Sequence, residues 1–156
     1  MATINALSSR LIRRAANDLA RIVYLTPAYR QVWSPLGEGR TVLDQIVEVS
    51  ATNVIGARTL RARGRIKLEP GEWERHKASC GTVAAALARL EESTQLLIDA
   101  VESFPEGEWD DTLIMPFGDG EVKSFAELAL MHYWHMTYHY AQISYIQTLY
   151  GDRESW

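Results

Sequence analysis

Residues 132–147 read HYWHMTYHYAQISYIQ and carry three of the chain's four histidines, His132, His135 and His139. Imidazole is the commonest metal ligand and a base near neutral pH, so the spacing of these three decides what they can do. If the segment is helical, each residue advances by about 100°, and Leu128, Met131, His132, His135, His139, Gln142, Ile143, Ile146 and Leu149 share one stripe. The stripe is otherwise apolar. Three imidazoles and one amide therefore point toward a core, where each must be satisfied by a neighbour, by water or by a ligand.

His135 and His139 stand at i and i+4, about 6 Å apart at Cβ, and can converge on one ion. His132 and His139 are separated by about 10.5 Å along the axis, too far to share one comfortably. A hydrogen-bonded core histidine fits the same pattern, so a metal site also needs a third ligand from another helix. Glu48 and Asp44 are the candidates, on adjacent turns at the border of an apolar stripe. Either also reads as a solvated helix acid, and Asp44 doubles as a cap. Two histidines and a carboxylate leave positions open for water or substrate, a set that Zn²⁺, Ni²⁺, Mn²⁺ or Fe²⁺ accepts. His135-Met-Thr-Tyr-His139 lacks the glutamate that follows the first histidine in H-E-x-x-H proteases, which argues against peptide hydrolysis. Tyr138 and Gln142 lie beside the pair and could orient a substrate or a ligand's free N–H.

The elements that position these residues follow from periodicity. Leu7, Leu11, Ala15, Leu19 and Ile22 recur at helical spacing and Pro27 sets the stop, giving a first helix over 3–25. Its basic start, free of acids until Asp18, faintly resembles a presequence but lacks a signal peptide's apolar core. Thr41 with Asp44 predicts a capped second helix over 41–63 that buries Leu43, Ile46, Val47, Ser50 and Val54. The segment RGRIKLEPGEWERH breaks the pattern. Val83, Leu87, Leu90, Leu97, Val101 and Phe104 define a third long helix ending before Pro105. Residues 109–123 have β-like character around a Gly-Asp-Gly turn and predict an irregular hairpin or loop. Ser124 with Glu127 is a full capping box, and Gly151 a stop, for a fourth helix over 124–149.

Four such helices without a sustained strand pattern predict an all-α, four-helix up-and-down bundle with one or more longer crossover loops, in a single domain over 1–156. With 156 residues, 47% hydrophobic and 23% charged, the composition is that of a soluble globule, and no apolar run approaches a membrane span. A formal charge of −4 argues against nucleic acid as a partner. The single cysteine, Cys80, excludes an internal disulfide and fits the cytoplasm.

The helix order, the segment TVLDQIVEVSATN and the late HxxxH followed by x-x-Gln (His135, His139, Gln142) resemble the DinB/YfiT-like metalloenzymes. These are four-helix bundles, frequently homodimeric, that hold a divalent metal on three histidines. In the family pattern H-x-G-Q closes the motif, whereas Ala141 stands at the glycine here. Glu48 stands where the family has its helix-two histidine. The resemblance thus implies a two-His-one-Glu metal site of Glu48, His135 and His139, or a bundle that has lost its metal. Characterised relatives include metal-dependent thiol transferases, which implies a thiol-dependent S-transferase or a small-molecule hydrolase. The alternative is a non-catalytic bundle that binds a small ligand or acts as a scaffold. A low-molecular-weight thiol carries carboxylates that the run Arg58, Arg61, Arg63, Arg65 and Lys67 could hold, although the same run also suits a helix C-terminus. Trp134, Tyr138 and Tyr145 form a second stripe beside the histidines, with Tyr133 and Tyr140 opposite. A helix this apolar around its circumference is central to the bundle or covered by a second chain, so a homodimer is expected.

Overall fold

The computed structural model describes residues 3–115 and 120–152. Four long helices carry the fold: α1 (Ile4–Leu25), α2 (Val42–Ala62), α4 (Val83–Glu102) and α5 (Phe125–Leu149). A short helix, α3 (Glu72–Ser79), lies between α2 and α4. Each long helix begins at a hydroxyl cap: Thr3, Thr41, Thr82 and Ser124 each accept a backbone N–H from the first turn. At Thr41 and Ser124 the reciprocal carboxylates of Asp44 and Glu127 complete capping boxes, as the sequence predicts. α2 ends at Arg63, whose left-handed backbone (φ 51°) turns the chain out of the helix.

The contacts fix the directions. Asn5 donates to the carbonyls of Glu102 and Phe104, and Arg13 reaches Glu91 and Gln95, so α1 and α4 run antiparallel. Gln147 donates to Thr26 Oγ1 at the end of α1, and His139 meets Gln45, so α5 runs with α1 and against α2. Asn53 meets Thr94 on α4, which runs parallel to α2. Strict up-down alternation is therefore replaced by an up-down-down-up order. The long crossover is the connection 63–82, which returns from the end of α2 to the start of α4.

Two expectations need correction in detail. Within 63–82 the broken pattern hides α3, where Gly71 (φ 72°) supplies the left-handed turn that starts it. On α2, Val42 and Val49 are buried while Leu43 and Val54 are only half-buried, because two neighbouring helices and the crossover share its circumference. The hairpin pairs β1 (Thr112–Ile114) with β2 (Val122–Ser124) in antiparallel register, Leu113 opposite Lys123. Gly118 and Asp119 of the expected turn lie outside the described residues.

The core runs the length of the bundle through Ile12, Leu19, Ile46, Leu60, Leu97, Leu128, Met136 and Ile143. At the lower end, Phe104 packs on Trp109 and Phe125, and the indole N–H of Trp109 donates to Asn5. α2 and α5 thereby lie side by side with their polar inward positions facing each other. Among the described residues no helix is long and apolar enough to cross a membrane.

Candidate metal centre

α2 presents Gln45 and Glu48, and α5 presents His135 and His139, across the α2–α5 seam near the end of the bundle where α2 begins. The Nε2 atoms of His135 and His139 are 3.0 Å apart. Glu48 Oε1 lies 3.6 Å from the first and 3.7 Å from the second. The circle through these three atoms has a radius of about 2.0 Å, the length of a zinc–nitrogen or zinc–carboxylate bond. The donor set present thus fits a divalent cation in size as well as in kind.

The surroundings fix the ligand chemistry. His139 is fully buried, and its Nδ1 lies 3.2 Å from Gln45 Oε1. An amide oxygen only accepts, so Nδ1–H donates to it and Nε2 keeps its lone pair for the cluster. On the other side, Glu48 Oε2 takes Arg40 Nη1 at 2.6 Å, which leaves Oε1 free to face the histidines. Burial pushes the His139 imidazole down to about 4, helped by the neighbouring His135. Burial also lowers His135, against the opposing pull of Glu48. Both rings are therefore neutral near pH 7, the form that ligates. Among the described residues, His135 Nδ1 and Gln142 Oε1 are buried without hydrogen-bond partners. The Tyr138 ring stands edge-on to His139 at 5.3 Å and is itself stacked by Trp134. Both aromatics are exposed, so they border the cluster from the solvent side.

The other sequence candidates sit elsewhere. Asp44 is spent on the Thr41 cap and on Lys77. His132 is buried one turn below, against Gly56, with neither ring nitrogen paired among the described residues, and does not join the cluster. Arg58 ion-pairs with Glu72 and donates to Lys67 O, Arg61 donates to Leu96 O, and Arg63 pairs with Glu108. Arg65 lies on the crossover. Glu48 is in the second turn of α2 and Arg58 in its last turns, about 15 Å apart along the axis at 1.5 Å per residue. The arginine run and the histidine cluster are not brought together. Cys80 is buried.

Two participants escaped the sequence reading. Gln45 was legible, since it lies on the same inward face as Glu48 one turn earlier. Arg40 was not, because it precedes the helix and no periodicity ties it to Glu48.

Fold and site together define a four-helix bundle with a candidate two-histidine, one-carboxylate centre on its inner helices. A family profile described as the DinB superfamily matches residues 31–143, and the chain belongs to that superfamily. Two solved structures share the fold. They are the mycothiol-dependent maleylpyruvate isomerase (TM-score 0.72, 17% identity) and a histidine-to-alanine mutant of it (TM-score 0.71, 17% identity). In each case 92% of this chain is covered, and it spans 63% of the other chain. No curated protein sequence matches the chain.

Proposed function

We propose that this protein is a divalent-metal-dependent enzyme that uses Glu48, His135 and His139 as ligands and activates a low-molecular-weight thiol, or water, against a small electrophile. The observation that carries this reading is the ligand triangle itself, sized to a metal bond and backed by Gln45 and Arg40. A bound ion would supply Lewis acidity that lowers the pKa of a thiol or water. The chain would do the rest: Gln45 holds the His139 tautomer, Arg40 holds Glu48 to a single facing oxygen, and Tyr138 with Gln142 borders the approach. Among the described residues no base beyond Glu48 and the two histidines joins the cluster, which suits thiol transfer better than peptide hydrolysis. The structural neighbours are named for dependence on a thiol, mycothiol.

We place the enzyme in the cytoplasm as a homodimer, with the exposed stripe Leu130, Trp134, Tyr138 and Tyr145 of α5 as the contact. The competing reading, a metal-free ligand-binding or scaffold bundle, draws on the same 3.0 Å contact, which is also a good N–H···N hydrogen bond. Thermal shift separates them: divalent cations raise the melting temperature of a metalloenzyme, and only organic ligands raise that of a scaffold. The activity is then tested by loading the protein with Zn²⁺ or Mn²⁺ and following conjugation of a low-molecular-weight thiol to 1-chloro-2,4-dinitrobenzene. Turnover that requires both metal and His139 supports the enzyme; metal uptake with no turnover for thiol or water restricts the claim to binding.

A further inference from the structure

A cavity of about 430 Å³ lies beneath the crossover, where Ala51, Val54 and Ile55 of α2 meet α3. This volume is in the range of small-molecule sites. Val54 and Ile55 of α2, Leu68 of the crossover and the Trp73 indole of α3 form its apolar walls. Val54 and Ile55 stay half-buried and Trp73 exposed, so the walls are uncovered apolar surface.

The polar groups sort by what they already hold. Glu69, Glu74 and Arg75 stand at the exposed rim. Glu72, deeper, is committed twice, to Arg58 and to the Glu69 N–H. His76 has its Nε2 2.8 Å from Ser50 Oγ. That hydroxyl donates to Val47 O, so it accepts from the imidazole N–H. Arg89, reaching in from α4, uses Nη1 on Glu92 at 2.5 Å, while its Nε is buried and has no acceptor among the described residues. The Nε edge of a guanidinium is the fork that takes a carboxylate. Burial and the Arg89 charge keep His76 below the ordinary imidazole range, so near neutral pH its ring adds no positive charge beside Arg89. The indole of Trp73 and the His76 ring lie within 16° of parallel, 6.4 Å apart between centroids, and give the cavity flat walls.

We propose that this cavity is a second binding site, separate from the histidine cluster, for a small aromatic carboxylate whose ring lies against Trp73 and whose carboxylate takes the free edge of Arg89. The site does not depend on the metal reading, since none of its lining residues is a ligand of that cluster.

The test uses the full chain in EDTA with 2-naphthoate as probe, read by titration calorimetry and by the NMR signal of the Trp73 indole N–H, assigned with Trp73→Phe. One saturable site per chain is expected, with a shift of that signal. Arg89→Gln should weaken binding about tenfold or more, the usual effect of losing a charged hydrogen bond. The neutral analogue 2-naphthalenemethanol should bind wild type more weakly by a similar factor, and His139→Ala should bind the naphthoate as wild type does. The proposal is overturned by absence of saturable binding at millimolar probe, by an unmoved Trp73 signal, by equal affinity for the alcohol, or by loss of binding in His139→Ala. The comparison of the two probes and the Trp73 signal are read on wild type, so the proposal stays testable if Arg89→Gln fails to fold.

Discussion

His139 Nδ1 and Gln45 Oε1 lie 3.2 Å apart at the buried α2–α5 seam, and this contact settles which nitrogen of His139 faces His135 and Glu48. Without an acceptor at Nδ1 the ring could place its proton on either nitrogen. With one, the lone pair is held toward the cluster. Gln45→Leu keeps the volume and removes the acceptor. It should lower divalent-metal affinity about 10- to 100-fold with the three ligands intact. Competition titration with a chelating dye measures this, and an unchanged affinity would sink the positioning role.

The ligands themselves should behave all-or-none. Protein purified without a histidine tag should carry or take up one divalent ion per chain by elemental analysis. His135→Ala and His139→Ala should each abolish uptake, whereas His132→Ala should not, since His132 lies against Gly56 instead of in the cluster. Equal loss in all three variants would mean that the histidines act only through the fold.

Gly56 is the test of that packing. A Cβ built there would come 2.0 Å from His132 Nε2, well inside contact distance, in a fully buried seam. Alanine is the better helix former by about 1 kcal/mol, so propensity alone predicts that Gly56→Ala stabilises the protein. The clash should win, for a net loss of about 1–3 kcal/mol in urea unfolding. A gain would show that the His132 ring can move aside at little cost.

This glycine also marks where sequence reading stops. Helix periodicity and capping chemistry placed all four long helices within a residue or two, because those signals are local. The same periodicity assigned His132 to the axial level below the pair, since axial rise is set by the helix alone. What faces each inward residue is a tertiary matter. Periodicity turns Gln45 inward, but nothing local in residues 40–56 announces that its partner is His139, that Gly56 receives His132, or that Arg40 from the preceding loop holds Glu48. The arginine run shows the same limit in reverse: adjacent in sequence at the end of α2, its members diverge to Glu72, Leu96 and Glu108.

His132 should also set an acid limit on stability. Burial, with a smaller effect from His135, pushes it from 6.5 down to about 3. Between those values the unfolded chain binds a proton there and the folded chain does not, so stability falls as pH falls. The slope is at most about 1.4 kcal/mol per pH unit. In EDTA, wild type should therefore lose up to about 2 kcal/mol more than His132→Met between pH 6.5 and 5.0. Parallel stability curves for the two proteins would show that His132 does not resist protonation.

The exposed face of α5 carries the last prediction. Trp134 and Tyr145 are 60% and 66% exposed, and with Leu130 and Tyr138 they recur at helical spacing along one side. Water contact along such a stripe is unfavourable, and a symmetric copy of the same helix is the simplest cover. Sedimentation at micromolar concentration should give about twice the 17.6 kDa chain mass, and Trp134→Glu with Tyr145→Glu should return it to one. Because all three ligands come from one chain, the monomeric variant should keep its metal affinity. Tyr138 belongs to the stripe and also stands edge-on to His139, so substrate access, unlike metal binding, should change with the oligomeric state. A wild-type mass near 17.6 kDa removes the dimer and leaves the stripe as the open border of the site.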